Sequence, residues 1–106
     1  MTDVRVVLIT APDAAAAEKL ARALVEERLA ACVNVLPGVH SFYRWEGSVQ
    51  DDAELLLVAK TRAERVGALA ARVKELHPYD VPEVLELPAT GGSQTYLDWV
   101  RTETQG

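Results

Sequence analysis

Two side chains of the sequence, Cys32 and His77, carry the sulfur and nitrogen atoms that copper and zinc ions prefer as ligands. Cys32 is the only cysteine among the 106 residues, which excludes an internal disulfide and a cysteine-rich zinc site within one chain. Its thiolate would favour copper(I) or zinc, and three copies of the chain could bring three thiolates to one axis. The alternative interpretation is a small, buried apolar residue.

His77 stands directly before Pro78, at the end of a predicted helix. Neutral imidazole is the commonest metal ligand in proteins, so His77 is a candidate ligand. A histidine at the carboxyl end of a helix also hydrogen-bonds the last carbonyl groups of that helix. The sequence leaves both interpretations open, and one ligand alone cannot define a metal site.

A second group of residues suits a pocket for a ligand. Tyr43 and Trp45 are two positions apart in a predicted strand, so their rings project from the same face. Aromatic rings with polar tips line ligand pockets, and they also form contacts between subunits. Asp51 and Asp52 are adjacent and point to opposite faces, so they cannot easily hold one ion together and are interpreted as solvated charge.

Glu54 and Lys60 share one face of the next predicted strand, at opposite ends of an apolar stretch. Lys60 is expected close to His77 and Glu83, where it would bind an anion or tune those groups. The simpler alternative is charge exposed to water or at an interface. Asp80 and Glu83 flank a rigid Val-Pro pair and are suited to hard divalent cations, although such pairs are also common on surfaces.

Hydrophobic spacing and turn residues predict the elements that position these side chains. The predicted order is a strand at 4–10, a helix from 12 to 28 or 29, a bulged hairpin over 31–62, a helix ending before Pro78, a strand at 84–87 and a short helix after Ser93. The pattern Thr-Arg-Ala-Glu at 61–64 matches a capping box, so Thr61 is the predicted N-cap of the second helix.

This order is the ferredoxin-like split βαβ, an α+β fold in which two helices cover one face of an antiparallel sheet. The second strand, about fifteen residues at 31–45, lies at an edge of such a sheet and is far longer than a usual strand. An exposed edge of that length is prone to pairing. We therefore expect copies of the chain to associate in a cyclic arrangement that buries Phe42, Tyr43 and Trp45 between subunits.

Composition excludes several classes of function. Sixteen acidic against eleven basic residues leave a formal net charge of -5, which disfavours nucleic-acid binding. No apolar run approaches the roughly 20 residues that cross a bilayer, and the first residues lack the pattern of an export signal. We expect one cytoplasmic domain over residues 1–106, with no nucleic-acid or membrane partner. No motif for hydrolase or dinucleotide chemistry is present, so no enzymatic activity is expected.

Six stretches of the sequence resemble the divalent-cation tolerance family CutA. Each is short, but their joint order along nearly the whole chain is specific. They are T-A-P-D at 10–13, L-A-A-C-V-N at 29–34, Y-R-W-E-G at 43–47, E-L-L-L-V-A-K-T at 54–61, H-P-Y-D-V-P-E at 77–83 and Y-L-D-W at 96–99. The resemblance implies a trimer of ferredoxin-like subunits joined through long hairpins, a role in tolerance of copper and other divalent cations, and no established catalytic reaction.

In some bacterial members of that family, copper binding is assigned to a cysteine in the first strand and two successive histidines. The matching positions here are Ile9, Leu76 and His77, so only one of the three ligands is present. Our first hypothesis is a homotrimer that binds a divalent metal ion, copper or zinc, or a small ligand between subunits, with no metal needed for folding. The alternative is a small-molecule sensor or signalling trimer with incidental metal binding, whose pocket residues are Tyr43, Trp45, Glu54, Lys60, His77 and Glu83.

Overall fold

Strands and helices follow one another in the order that the sequence predicts. The computed structural model describes residues 2–106. Its elements are β1 (Val4–Ala11), α1 (Ala14–Glu26), β2 (Cys32–Trp45), β3 (Ser48–Arg62), α2 (Ala63–Leu76), β4 (Leu85–Pro88) and α3 (Gln94–Glu103). The strands form one antiparallel sheet in the order β2-β3-β1-β4, which confirms the split βαβ arrangement and the edge position of β2. None of the helices described is long and apolar enough to cross a membrane.

The first helix begins two residues later than the sequence predicts, at Ala14, and it also ends earlier. Asp13 is its N-cap, and the Asp13 side chain accepts a hydrogen bond of 2.8 Å from the backbone N–H three residues on. Arg28 adopts a left-handed backbone conformation (φ 60°), and the N–H groups of the next two residues both bond the carbonyl of Leu24. This compact turn closes the helix, so α1 ends at Glu26 rather than at residue 28 or 29.

The predicted capping box of α2 is wrong. Arg62, not Thr61, occupies the N-cap position, and no side chain caps the helix. Thr61 is instead the fully buried penultimate residue of β3, and its hydroxyl donates a hydrogen bond of 2.7 Å to the carbonyl of Leu29. The hydroxyl of Thr61 therefore binds the loop after α1 and does not cap α2. The end of α2 before Pro78 agrees with the prediction.

Helices α1 and α2 cover one face of the sheet. Alternate residues of β1 and β3 point toward these helices and form the main core with them. The largest side chains of this core that are excluded from water are Ile9, Leu20, Leu24, Leu57 and Leu69.

The opposite face of the sheet, here called the open face, is covered only at one end. Leu97 of α3 packs there against Val4. The antiparallel register places Leu85 and Leu87 of β4 on this same face, where their side chains remain 53% and 42% exposed. Leu36 of β2 is 43% exposed. The open face therefore presents apolar side chains that no element described here covers.

Strands β2 and β3 form a hairpin that extends beyond the rest of the sheet. Strand β1 pairs with β3 only as far as Ala11, whereas β2 and β3 stay paired out to Trp45 and Ser48. The predicted bulge lies at residues 36–39, and left-handed Gly47 (φ 83°) helps to form the tight turn. The hairpin makes the molecule 44 Å long against 25 Å and 22 Å in the other directions.

Candidate functional site

A cleft of about 520 Å³ opens where the hairpin leaves the sheet, next to the loop that follows α2. Its lining residues come from the end of β1, the hairpin and this loop. They are Thr10, Ser41, Phe42, Tyr43, Trp45, Glu54, Tyr79, Asp80, Val81 and Glu83. Four of the six residues expected to line a pocket, Tyr43, Trp45, Glu54 and Glu83, thus lie together at this cleft.

Glu54 is the most buried charged residue of the cleft. It lies in β3, one position before Leu55, where the pairing of β3 with β1 begins. Only 6% of its surface is exposed. Its Oε2 atom accepts a hydrogen bond of 2.9 Å from the hydroxyl of Tyr79. No Lys, Arg or His among residues 2–106 forms an ion pair with it. A buried carboxylate without a counter-charge is costly, so Glu54 is suited to receive a cation.

Ionisation of the neighbouring groups reflects this environment. Burial, the hydrogen bond to Glu54 and the charge of Glu54 together raise the pKa of Tyr79 from 10.0 to about 12, so its hydroxyl stays a donor at neutral pH. Glu83 also lines the cleft, where partial loss of hydration and then the charge of Glu54 raise its pKa. The cleft is therefore acidic, and the charge of Glu54 disfavours the charged form of Glu83.

The hairpin carboxylates are partnered rather than merely solvated. The Tyr43 hydroxyl donates to Asp52, and this hydrogen bond is the main cause that raises the pKa of Tyr43. Asp51 pairs with His40 on the opposite face of the hairpin. The prediction that Asp51 and Asp52 point to opposite faces holds in the structure, but each has a specific partner. The Tyr43 hydroxyl is thus already engaged, which leaves its ring surface to a ligand.

His77 is nearly buried, with 7% of its surface exposed, and both of its ring nitrogens are in use. Nδ1 accepts a hydrogen bond of 3.1 Å from the backbone N–H of Tyr79. Nε2 therefore carries the proton in the neutral ring and donates it to the carbonyl of Thr10, at 2.7 Å. No lone pair of His77 is left for a metal ion in this arrangement. The histidine ties the loop after α2 to the end of β1 and so positions Tyr79.

Cys32 and Lys60 lie outside the cleft. They face each other on β2 and β3, near the end of β3 that is away from the hairpin turn. Lys60 contacts Cys32, with Nζ to Sγ at 3.9 Å, and donates a hydrogen bond to Asn34. Lys60 pairs with Val6, whereas His77 reaches the strand at Thr10. Val6 and Thr10 are four residues apart in β1, which is about 13 Å along the strand. The expectation that Lys60 lies near His77 and Glu83 is therefore wrong, because the loop after α2 meets the other end of β1.

A metal ion does not fit the side chains of a single protomer. Cys32 and His77 lie at different ends of the sheet and cannot share an ion. Across the described part of the chain, no group of three or more His, Cys, Asp or Glu residues is arranged to hold a metal. Any metal centre that involves Cys32 or His77 would need side chains from another copy.

Tyr79 was not identified from the sequence as a candidate site residue. Its only local signal is its position two residues after His77, at the turn that Pro78 imposes. Its contact with Glu54 joins residues 25 positions apart, and no short-range spacing indicates such a contact.

Taken together, the split βαβ sheet, its overhanging hairpin and the acidic aromatic cleft define a ferredoxin-like α+β protein with a ligand-sized recess at the base of the hairpin. The family model described as CutA1 divalent ion tolerance protein matches residues 5–103. The chain belongs to this family. The family description names tolerance of divalent ions and indicates no catalytic reaction.

Individual relatives agree with this assignment. The chain is 56% identical over 99 residues to the divalent-cation tolerance protein CutA of Thermus thermophilus, covering 93% of this chain and 96% of the relative. A solved structure of the Thermus thermophilus protein superposes with a TM-score of 0.94 at 54% identity, over 96% of this chain and 99% of that one. The crystal structure of CutA from Xylella fastidiosa gives a TM-score of 0.96 at 43% identity, over 98% and 100% of the two chains.

Proposed function

We propose that this chain acts in divalent-cation tolerance as a homotrimer, without catalysis, and that ions of the copper or zinc type bind between its protomers. The observation that carries the assembly is the open face. It presents Leu36, Leu85 and Leu87 to solvent. The outer side of the edge strand β2 pairs with no other strand of the described chain. Apolar patches and long free edges of this kind favour association with another copy.

A cyclic trimer satisfies both features with one type of contact. The overhanging hairpin of one copy would reach past its own sheet and cover part of the open face of the next copy. Closure of such a head-to-tail contact into a ring leaves no free interface, which prevents open-ended polymerisation. Sedimentation velocity at low micromolar concentration tests the assembly. A species of three times the 11.6 kDa protomer mass is expected, and a monomer would contradict the proposal.

The metal part of the proposal rests on Cys32 thiolates from different copies. His77, the other candidate ligand, would first have to lose the hydrogen bond that Nδ1 accepts from the backbone N–H of Tyr79. Equilibrium dialysis of the assembled protein against copper(II) and zinc(II) is expected to show binding at micromolar free metal. Cys32→Ser should weaken it by about tenfold or more, as loss of a direct ligand does, and an equal effect of His77→Gln would show that His77 also binds the ion. His40→Ala is the matched control, because His40 is exposed on the hairpin, where it contacts Asp51 and Phe42. Absence of binding by a verified trimer would remove metal binding from the proposal.

A second candidate function is a small-molecule sensor or signalling trimer in which metal binding is incidental. The cleft and the uncompensated Glu54 favour it, since they form a recess of ligand size that exists within one protomer. A thermal-shift screen of small ions, amines and nucleotides separates the two functions. Under the sensor function an organic ligand raises the melting temperature through linkage, and copper and zinc change it little.

The cytoplasm is the proposed location in both cases. The free thiol of Cys32 is half-buried, and it stays reduced in a reducing compartment. Fractionation of cells that express the full chain tests the location, and recovery of the protein from a membrane or periplasmic fraction would contradict it.

A further inference from the structure

We infer that the cleft binds a small organic cation, an ammonium or guanidinium group on a short apolar stem, with Glu54 as its counter-charge. This inference rests on the sensor function proposed above and names the chemical class of its ligand.

The charge of the cleft selects for a cation. Its lining includes three carboxylates, Glu54, Asp80 and Glu83, and none of its ten lining residues is basic. Glu54 is more than nine-tenths buried and accepts a side-chain hydrogen bond only at Oε2, from Tyr79. No hydrogen-bond donor from residues 2–106 reaches its Oε1 atom. A cation that donates a hydrogen bond there would supply both the missing donor and the missing counter-charge.

The rings of the cleft select for an organic cation over a hydrated metal ion. The rings of Tyr43, Trp45 and Tyr79 belong to this recess, whereas the Phe42 ring lies against His40 on the opposite face of the hairpin. The hydroxyl groups of Tyr43 and Tyr79 are already committed to Asp52 and Glu54, so these two residues offer ring surface rather than ligand oxygens. Aromatic faces attract ammonium and guanidinium groups and pack well against their apolar stems. Metal ions instead require several converging donor atoms, which the cleft does not provide.

The size of the cleft limits the ligand to a small molecule. Its volume of about 520 Å³ falls within the range of pockets that hold metabolite-sized ligands, about 300–1,000 Å³. The stem would lie along Trp45 while the charged group reaches Glu54, the most buried of the three carboxylates. A lysine or arginine of a second copy has the same chemistry, and the test below distinguishes it from a free ligand.

The experiment uses the assembled full chain and three probes of one shape and different charge, namely benzylamine, benzyl alcohol and benzoate. Isothermal titration near neutral pH is expected to detect benzylamine and to find the neutral and anionic probes weaker by about tenfold or more. Glu54→Gln keeps the shape and the hydrogen bond from Tyr79, and it should weaken benzylamine by about tenfold. Glu26→Gln is the control, because Glu26 is exposed at the end of α1, outside the cleft.

A second variant, Trp45→Leu, tests the aromatic part of the cleft and does not depend on the folding of Glu54→Gln. Trp45 is 48% exposed, so Trp45→Leu removes the ring with little risk to the fold. It should weaken benzylamine by about three- to tenfold and leave the far-UV spectrum unchanged.

The outcomes separate the inference from the function on which it rests. Equal binding of benzylamine and benzyl alcohol, or unchanged affinity in Glu54→Gln, would show that the cleft binds ligands but that the cationic class is wrong. Binding of none of the probes to a verified trimer would overturn both, since the cleft would then be filled by a side chain of another copy or be no site at all.

Discussion

At the scale of single residues, the hydrogen bond from Tyr79 to Glu54 couples the stability of the protein to pH. Because the pKa of Tyr79 is raised to about 12 by the fold, the folded state holds this proton more tightly than the unfolded state, whose tyrosine titrates near 10.0. This contribution is fully present below pH 10 and is lost as the pH rises toward 12. We expect the free energy of unfolding to fall over that interval.

Tyr79→Phe checks this prediction, because phenylalanine cannot ionise. Urea unfolding from pH 9 to 12 should show a steeper loss of stability in the wild-type protein than in Tyr79→Phe. Tyr43 and Tyr96 also have raised pKa values and contribute a common background, which the difference between the two proteins removes. Parallel curves for the two proteins would show that Tyr79 does not keep its proton as described.

His77 allows a second prediction at this scale. Its two ring nitrogens join the backbone of Tyr79 and of Thr10, so His77→Ala leaves two buried polar groups without partners. We expect it to lower the free energy of unfolding by about 2 kcal/mol. His40→Ala, on the exposed hairpin, should change it by less than about 0.5 kcal/mol. Chemical denaturation measures both, and similar effects of the two variants would refute a positioning role for His77.

The sequence identifies residues on one strand better than residues that meet from distant elements. The period of two is enough to place Tyr43 and Trp45 on one face, and both line the cleft. The meeting of Glu54 with Tyr79 depends on where the loop after α2 crosses the sheet, which no local pattern contains. For the same reason the prediction that Lys60, which shares a strand face with Glu54, lies close to His77 and Glu83 is wrong.

At the scale of elements, the turn of the hairpin depends on a left-handed glycine. Gly47 has φ 83° and open space around the position of a Cβ atom, so any cost of substitution is conformational rather than steric. Gly47→Ala should destabilise the protein by about 1 kcal/mol. Gly67 lies within α2 with equally open space and no positive φ, so Gly67→Ala should stabilise by about 0.5–1 kcal/mol.

Thermal and urea unfolding measure the stability of both variants. The same change from glycine to alanine should lower the free energy of unfolding at position 47 and raise it at position 67. A stabilising Gly47→Ala would mean that the turn does not need the left-handed conformation, and the hairpin would then be held by other contacts.

Element boundaries show what local patterns omit. Turn residues and alternation are sufficient to predict the hairpin and its bulge, because each is a short-range property of the chain. The capping box failed because the hydroxyl of Thr61 has a competing partner, the carbonyl of Leu29, 32 positions earlier. Tertiary contacts of this kind decide which of two plausible local structures forms.

At the scale of the whole molecule, the open face makes the strongest prediction about assembly. Leu85 is 53% exposed on β4, so Leu85→Lys removes little buried surface from the protomer and should leave its fold intact. If copies associate through this face, the lysine must be buried without a partner, and the trimer should dissociate at low micromolar concentration. Val25→Lys is the control, because Val25 is 42% exposed on α1, away from the open face.

Sedimentation velocity with far-UV circular dichroism distinguishes the outcomes: a folded Leu85→Lys monomer beside a trimeric Val25→Lys supports assembly through the open face. An intact Leu85→Lys trimer would place the interface elsewhere, since an uncompensated charge cannot be accommodated in a packed apolar contact without loss of affinity.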